Sequence, residues 1–338
     1  MKRALLALLV LAALLCGCIG GDEDDNGLTI YTYDSFVAEW GPGPVVFSAF
    51  EQAYGAELTV VSMGSSGEML TRAIAEKDDP QADVLLGIND LQMYRAFEAG
   101  LLEEYIPQGH DSIPDSLVMD TEWRITPFDY GYMAIIYDSE AVSAPPQSFE
   151  DLRDERWEDS LIVEDPRTSS PGLSFLLWTI AVYGEQFDQY WEDISDSLLT
   201  VAPSWSTAYY GMFMEGEAPC VVSYSSSPAY HLAFEQTQRY KGVIMDEGAF
   251  VQIEGAGIVS GTGNQSLAEE FIDFMLTDDF QGELALTQFM LPVIPGTELP
   301  DSYSIVETSD NILEFDRSLI GENLDQWVQR WLEAIGGQ

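Results

Sequence analysis

Basic side chains are scarce in this sequence of 338 residues, which has 13 Lys+Arg against 58 Asp+Glu and a formal net charge of -45. A nucleic-acid-binding surface needs clustered Lys and Arg to displace the counterions of the phosphate backbone, so that class is excluded. A polybasic surface for anionic membranes is excluded for the same reason. The chain is nevertheless 46% hydrophobic and 12% aromatic, which is enough to build a core and argues against disorder.

Residues that carry metal or nucleophilic chemistry are also few. The 2 histidines, His110 and His231, and the 3 cysteines have no spacing typical of a metal site. The sequence contains neither a Gly-x-x-x-x-Gly-Lys phosphate loop nor a Gly-x-Ser-x-Gly elbow. Cys220 lies in a short apolar run and is predicted to be a buried core thiol. These absences favour a binding protein over an enzyme.

The acidic residues are spread along the whole chain, and two explanations of the excess stay open. One is a halophilic surface, because high salt screens the mutual repulsion of many carboxylates. The other is an electric field that attracts a cationic ligand. The two explanations are compatible.

The first 17 residues are predicted to be a lipoprotein signal peptide. Lys2 and Arg3 precede an apolar run over residues 4–15, which is too short to span a membrane. The run ends in Leu15-Cys16-Gly17-Cys18, which resembles a lipobox that is cut before Cys18 so that this cysteine carries the lipid. Residues 18–27 would form an acidic tether. We expect an exported protein, anchored by its lipid to the outer face of the cytoplasmic membrane; the alternative is an uncleaved anchor.

Strand and helix patterns alternate along the rest of the chain, which predicts an α/β fold. The predicted strands cover residues 28–33, 58–63, 82–87, 126–137, 221–225 and 243–254. The predicted helices cover residues 44–54, 68–76, 91–99, 171–183, 204–214, 266–276, 278–289 and 323–335, with a capping box at Ser266-Leu-Ala-Glu269 and a bend at Gly255-Ala-Gly257.

The chain is expected to leave a first α/β unit near residue 127 and to return to it near residue 250. These two crossovers predict two lobes with a ligand cleft at the hinge between them. We expect residues 28–126 plus 250–298 to form the first lobe. Residues 127–249 plus 299–338 would form the second lobe.

Aromatic residues concentrate at the ends of predicted strands, beside Gly, Pro and Asp. The candidates there are Tyr33, Asp34, Trp40, Asp129, Trp205, Tyr209, Tyr224 and Tyr230. Aromatic faces attract cations and a carboxylate holds an amino group or a charge, so this pattern suits an aromatic cation. Core packing is the alternative role for these rings.

The segment Asp165-Pro-Arg-Thr-Ser169-Ser170-Pro171 offers a different kind of site. Hydroxyls and free backbone N–H groups at the start of a helix bind anions. Arg167 would either assist there or form a structural ion pair in a carboxylate-rich protein.

Several long sequence blocks resemble the thiamine-binding proteins of ABC importers, in the order in which that family has them. The blocks are Tyr31-Thr-Tyr-Asp-Ser-Phe36, Trp40-Gly-Pro-Gly-Pro44, Pro127-Phe-Asp-Tyr-Gly-Tyr132, Asp165-Pro-Arg-Thr-Ser-Ser-Pro-Gly172, Trp205-Ser-Thr-Ala-Tyr209 and Ser223-Tyr-Ser-Ser-Ser-Pro-Ala-Tyr-His231. The resemblance implies a two-lobed, type II solute-binding fold. It also implies a monomer without a cofactor that delivers thiamine, often including its phosphate esters, to a membrane permease driven by an ATPase.

The resemblance also assigns roles to individual residues. Tyr33, Asp34 and Trp40 would line the first lobe's side of the pocket. Aromatic walls around the thiazolium and pyrimidine rings would come from Trp205, Tyr224 and Tyr230. Ser169 would lie near the hydroxyethyl or phosphate end.

The chain departs from the family pattern in the loop after the second strand. Where the family has an acidic residue, this loop reads Gly64-Ser65-Ser66-Gly67, and Ser65 and Ser66 become candidate contacts. A second change places Leu291 where the family has an aromatic residue. The alternatives are therefore another ligand in the same fold (a metal ion, polyamine or anion) or a thiaminase-like enzyme with Cys220 as nucleophile.

Overall fold

A computed structural model describes residues 26–336 of the protein. The strands are β1 (Gly27–Tyr33), β2 (Glu57–Met63), β3 (Val84–Asn89), β4 (Thr126–Asp138), β5 (Leu161–Glu164), β6 (Leu198–Ala202), β7 (Cys220–Tyr224), β8 (Tyr240–Val243), β9 (Val251–Ile258) and β10 (Leu291–Pro292). The helices are α1 (Asp34–Val37), α2 (Gly43–Tyr54), α3 (Ser66–Ala75), α4 (Met93–Glu98), α5 (Ser170–Tyr183), α6 (Phe187–Asp193), α7 (Ser227–Tyr230), α8 (Gln265–Phe274), α9 (Asp278–Glu283) and α10 (Ser318–Ile335). Three further segments are π-helical: Thr207–Phe213, His231–Glu235 and Leu284–Gln288.

The strands form a curled sheet in the order β2-β1-β3-β9-β4-β7-β5-β6, with β8 and β10 also paired to β4. β1 lies parallel to β2 and β3, and β5 lies parallel to β6 and β7, so helical crossovers connect these strands. The long strand β4 links the two parts, because residues 126–132 pair with β9 and residues 133–137 pair with β7. The result is the predicted α/β fold with two lobes.

Each lobe has its own apolar core. In the first lobe, Phe50 and Phe271 bring α2 and α8 together over β1 and β3. In the second lobe, every residue from Ser170 to Ile180 of α5 is buried, which explains why this helix is apolar on all sides. The C-terminal helix α10 packs on the second lobe through an edge contact between Trp331 and Trp191. The cleft lies between these two cores.

The predicted strand over residues 243–254 is wrong. β8 ends at Val243, the chain turns at Gly248 (φ 134°), and β9 runs on to Ile258. The predicted bend therefore lies inside β9. Glycine is needed there because a Cβ at Gly255 would lie 2.4 Å from Ile125 Cγ2, and one at Gly257 would lie 2.6 Å from the Arg124 carbonyl oxygen.

The predicted capping box is also wrong. Helix α8 begins one residue earlier, at Gln265, and its N-cap Asn264 makes no side-chain capping hydrogen bond. Glu269 accepts a hydrogen bond of 2.8 Å from Gln265 within the first turn. The predicted helices over residues 44–54 and 171–183 are confirmed.

The predicted signal peptide, Cys18 and the tether as far as residue 25 lie outside the described residues. Among the helices over residues 26–336, none is both long enough and apolar enough to cross a membrane.

Candidate functional site

A cleft of about 890 Å³, including its open mouth, lies between the lobes beside β4. All the predicted ligand-binding residues except Asp129 line it: Tyr33, Asp34, Ser65, Ser66, Trp40, Ser169, Trp205, Tyr209, Tyr224 and Tyr230. Further residues of the wall were not predicted from sequence, among them Ser204, Ser206, Tyr210, Ser226, Glu254, Gln288 and Met290.

One wall is aromatic and held in place by hydrogen bonds. Trp205 follows β6, and its ring stacks on Tyr209 with centroids 5.2 Å apart and planes 21° apart. Its indole Nε1 donates a hydrogen bond of 2.8 Å to Ser223 Oγ, which fixes the plane of the ring. The ring therefore presents a preset face toward the cavity.

Trp40 reaches this wall from the opposite lobe. Its ring lies 5.0 Å from Tyr210 and 6.4 Å from Trp205 between centroids. Nearby, Ser206 Oγ donates a long hydrogen bond of 3.4 Å to Asp34 Oδ1, again between lobes. The two lobes therefore touch across the mouth of the cleft. Asp34 is half-buried, and burial raises the pKa of its carboxyl group. The hydrogen bonds that it accepts from Ser35 and Ser206 lower the pKa but do not cancel this effect.

At the other end of the cleft, two helices begin side by side. Ser65 caps α3 by accepting a hydrogen bond from the Glu68 amide, and Ser66 Oγ lies 2.7 Å from Ser170 Oγ at the start of α5. Ser169 is 2% exposed and its Oγ has no partner among residues 26–336. Free N–H groups at two helix starts make this end attractive to an anion.

Arg167 does not reach the cavity. Its guanidinium is engaged by Asp165, with Nε 2.9 Å from Oδ1 and a second nitrogen 2.5 Å from Oδ2. The structural ion pair is therefore the correct interpretation of Arg167. Over residues 26–336, no Lys, Arg or His side chain lines the cleft. Within the described part of the chain, no group of three or more His, Cys, Asp and Glu side chains is arranged to hold a metal ion.

The floor of the cleft is a network of polar side chains around Glu254. Glu254 Oε2 accepts a hydrogen bond of 2.7 Å from Tyr33, and Oε1 accepts one of 3.2 Å from Gln252. Gln252 also donates to Tyr224 Oη, and Gln288 donates to Tyr33 Oη, at 2.8 and 2.7 Å. Burial raises the pKa of Glu254 to about 7, against the opposing hydrogen bond from Tyr33.

Asp129 lies beside this floor and not on the cavity wall. It is directly opposite Glu254 in the β4–β9 pairing, and on its other side β10 pairs with it through Pro292. It is fully buried, and neither carboxylate oxygen has a hydrogen-bond partner among residues 26–336. Burial and the neighbouring charge of Glu254 raise the pKa of Asp129 well above its usual range. Asp129 was predicted to contact a ligand directly, but it is not among the residues that line the cleft.

Residues 79–310 match the family of bacterial extracellular solute-binding proteins. The chain belongs to that family.

Two relatives of this solute-binding protein are thiamine-binding periplasmic proteins. The one from Brucella melitensis is 37% identical over 312 residues, 91% of each chain. The one from Escherichia coli is 36% identical over 311 residues, which cover 91% of this chain and 93% of the relative. A solved structure of a periplasmic thiamin binding protein superposes with a TM-score of 0.86 at 35% identity, covering 91% of this chain and 96% of the other. The two-lobed, type II fold and a role in binding rather than catalysis follow from these matches.

Proposed function

We propose that this solute-binding protein captures thiamine outside the cytoplasm and delivers it to an ABC permease. The observation that carries the proposal is a cleft walled by aromatic rings, whose lining within residues 26–336 includes two carboxylates and no basic side chain. Such a cleft favours an aromatic cation, and thiamine is one. The thiamine-binding relatives, identical at 36–37% of positions over 91% of this chain, support this ligand.

We propose that the rings of thiamine lie against the aromatic wall. Trp205, Tyr224 and Tyr230 would face the thiazolium and pyrimidine rings, and Trp40 would close over them from the first lobe. Each desolvated cation–π contact contributes roughly 0.5–2 kcal/mol. Asp34 at the mouth is placed to accept a hydrogen bond from the exocyclic amino group.

Isothermal titration calorimetry tests the proposal directly. The protein is stripped of bound ligand, refolded in high salt, checked by circular dichroism, and titrated with thiamine. We expect one binding site per chain. A folded protein that gives neither heat nor a thermal shift with thiamine would disprove the proposal.

We further propose that thiamine phosphates bind with the phosphate at the starts of α3 and α5. The unpartnered Ser169 hydroxyl would donate to a phosphate oxygen. We predict that Ser169→Ala lowers the ratio of the affinities for thiamine monophosphate and thiamine about tenfold, the usual effect of losing a hydrogen bond to a charged group. Calorimetry with both ligands measures this ratio. Ser48→Ala, at an exposed serine of α2, is the control, and an unchanged ratio in Ser169→Ala would place the phosphate elsewhere.

Cys220 has no role in this function. It is fully buried in β7, it does not line the cleft, and burial raises the pKa of its thiol to about 12. We predict that Cys220→Ala binds thiamine within twofold of the wild type, because neither a thiol nor a thiolate reaches the ligand. Calorimetry measures the affinity, and chromatography of thiamine after long incubation checks for breakdown. Thiamine breakdown that disappears in Cys220→Ala would instead indicate a thiaminase-like enzyme.

We propose that Cys18 carries a lipid that holds a monomer at the outer face of the cytoplasmic membrane. The lobes, divided as predicted at residues 126/127, 249/250 and 298/299, would close on the ligand and offer a joint surface to the permease and its ATPase.

A further inference from the structure

We propose that Glu254 is the counter-ion through which the protein selects a ligand with a positively charged ring. Binding of that ring would release a proton from the Asp129–Glu254 pair. This inference rests on thiamine being the ligand, as proposed above. It assigns the charge recognition to the floor of the cleft, whereas Asp34 stands at the mouth.

Glu254 faces the cavity without a positive partner of its own. Its contacts within residues 26–336 are the hydrogen bonds from Tyr33 and Gln252, and neither donor carries a charge. Arg317, a basic side chain beside β9, forms an ion pair with Asp90 and donates a hydrogen bond to the Val251 carbonyl oxygen. An ionised Glu254 is therefore left with a charge that only a ligand can neutralise.

Asp129 makes the pair hold a proton when the cleft has no cation. The two carboxyl groups are opposite each other in neighbouring strands, so their side chains lie on the same face of the sheet. Because both carboxyl groups are buried, they cannot ionise together without a compensating charge, and the pair titrates as a unit. Asp129 does not touch the ligand in this proposal; it acts by influencing the ionisation of Glu254.

The other titratable groups around the pair do not supply a positive charge. Tyr33 on β1 and Tyr224 on β7 face it, and burial raises the pKa of both phenols well above the usual range. Asp90 after β3 adds a negative charge, and Tyr303 faces Asp129 from beyond β10. Glu164, which also faces Tyr224, is buried with both oxygens unpartnered among the described residues. The surroundings thus favour a proton or a cation at Glu254.

Protons and charges balance in this exchange. At about pH 6 in the empty cleft, Asp129 and Glu254 each carry a proton. When the cationic ring enters, the proton of Glu254 leaves to solvent, the ring's fixed charge takes its place beside the Glu254 carboxylate, and Asp129 keeps its own proton. A neutral ring offers no such compensation and leaves the proton where it is.

The first test compares thiamine with its neutral isostere, in which a thiophene replaces the thiazolium ring. We expect wild-type protein to prefer thiamine by at least about tenfold, the effect of one lost charge-assisted contact. Glu254→Gln keeps an acceptor for Tyr33 but has no charge, and we expect its preference for thiamine to fall several-fold, while the cation–π contacts of the aromatic wall still favour the charged ring. Glu57→Gln, at an exposed glutamate on β2, is the matched control and should keep the wild-type preference. A Glu254→Gln protein that retains the full preference overturns the proposal.

The second test needs only the wild-type protein, so it holds even if the variant fails to fold. A carboxyl group with a pKa of about 7 in the free protein must lose its proton to pair with the cation, so thiamine affinity should fall about tenfold from about pH 8 to about pH 6. Calorimetry in buffers of different ionisation enthalpy should detect close to one proton released near pH 6. Affinity that is flat across this range, with no proton released, overturns the proposal.

The outcomes separate this inference from the proposed function. If wild-type protein binds neither compound, the proposed function itself fails. If it binds thiamine and the neutral isostere equally well, thiamine remains the ligand and only the role of Glu254 is disproved.

Discussion

Replacing Trp205 with Ala should lower the affinity for thiamine about a hundredfold, by roughly 3 kcal/mol, which is typical of a central aromatic contact in a binding site. The substitution removes the ring face presented to the ligand. It also leaves Ser223 Oγ without the indole donor and exposes one face of Tyr209, on which Trp205 stacks. The loss of a preset surface adds to the loss of the contact itself.

Trp205→Phe separates these contributions. Phe keeps a ring but has no donor for Ser223, so we expect an affinity between those of wild-type and Trp205→Ala protein. Tyr54→Ala is the control for removal of an aromatic side chain, since Tyr54 is 37% exposed on α2 and does not line the cleft. Titration calorimetry at constant salt measures all four proteins. An affinity for Trp205→Ala within threefold of the wild type would mean that the ligand lies elsewhere.

The aromatic part of the cleft was predictable from sequence for a physical reason. Ring side chains at strand ends, next to Gly, Pro and Asp, cannot all enter a core, because the chain turns there and one side of each ring stays open. Tyr33, Trp205 and Tyr224 follow this pattern, and all three line the cavity. Their roles toward a ligand remain predictions until binding is measured.

Glu254 was missed because its strand was displaced in the prediction. A strand was expected over residues 243–254 with a bend after it, so Glu254 was the last residue of that strand. An acidic residue at the exposed end of a strand is common and does not indicate a binding site. In the correct β9, Gln252 and Glu254 are two polar residues on one face of a buried strand. Alternation of polar residues within an otherwise apolar run was the available signal.

Two π-helical segments beside the cavity have a backbone that the sequence patterns did not predict. Thr207–Phe213 and Leu284–Gln288 lie within the predicted helices over residues 204–214 and 278–289, which were expected to be ordinary α-helices. An extra residue per turn shifts the side chains that follow, and such segments occur frequently at functional sites. Here they carry Tyr209, Tyr210 and Gln288 into the cleft.

The acidic residues divide into two groups that differ in how strongly salt screens their charges. Most of the net charge of -45 belongs to a dispersed excess of carboxylates, whose long-range attraction for a cation is screened in high salt. Glu254 and Asp129 are buried at the floor of the cleft, where salt screens poorly. Selection of a cation would therefore persist in high salt, even though steering toward the cleft would not.

Gly172→Ala should lower the free energy of unfolding by about 3 kcal/mol, at the upper end of the effect of overpacking. A Cβ at this position would lie 2.4 Å from the Glu164 carbonyl oxygen, 2.7 Å from its carbon and 2.9 Å from the Asp165 carbonyl carbon. These are backbone atoms and cannot rotate away, so the start of α5 must move from the end of β5. Ser169 and Ser170 would move with it, and we expect weaker binding of thiamine monophosphate as well.

Gly282→Ala provides the opposite case in the same protein. A Cβ at Gly282 would meet no atom within 4 Å, and the residue lies in helix α9, so alanine should raise the free energy of unfolding by up to about 1 kcal/mol. Urea unfolding at constant high salt measures both variants, with equal m-values as the check that the unfolding transition is the same. A Gly172→Ala protein within 1 kcal/mol of the wild type would show that the α5 start tolerates a shift. In that case the two helix starts would not be a rigid anion site.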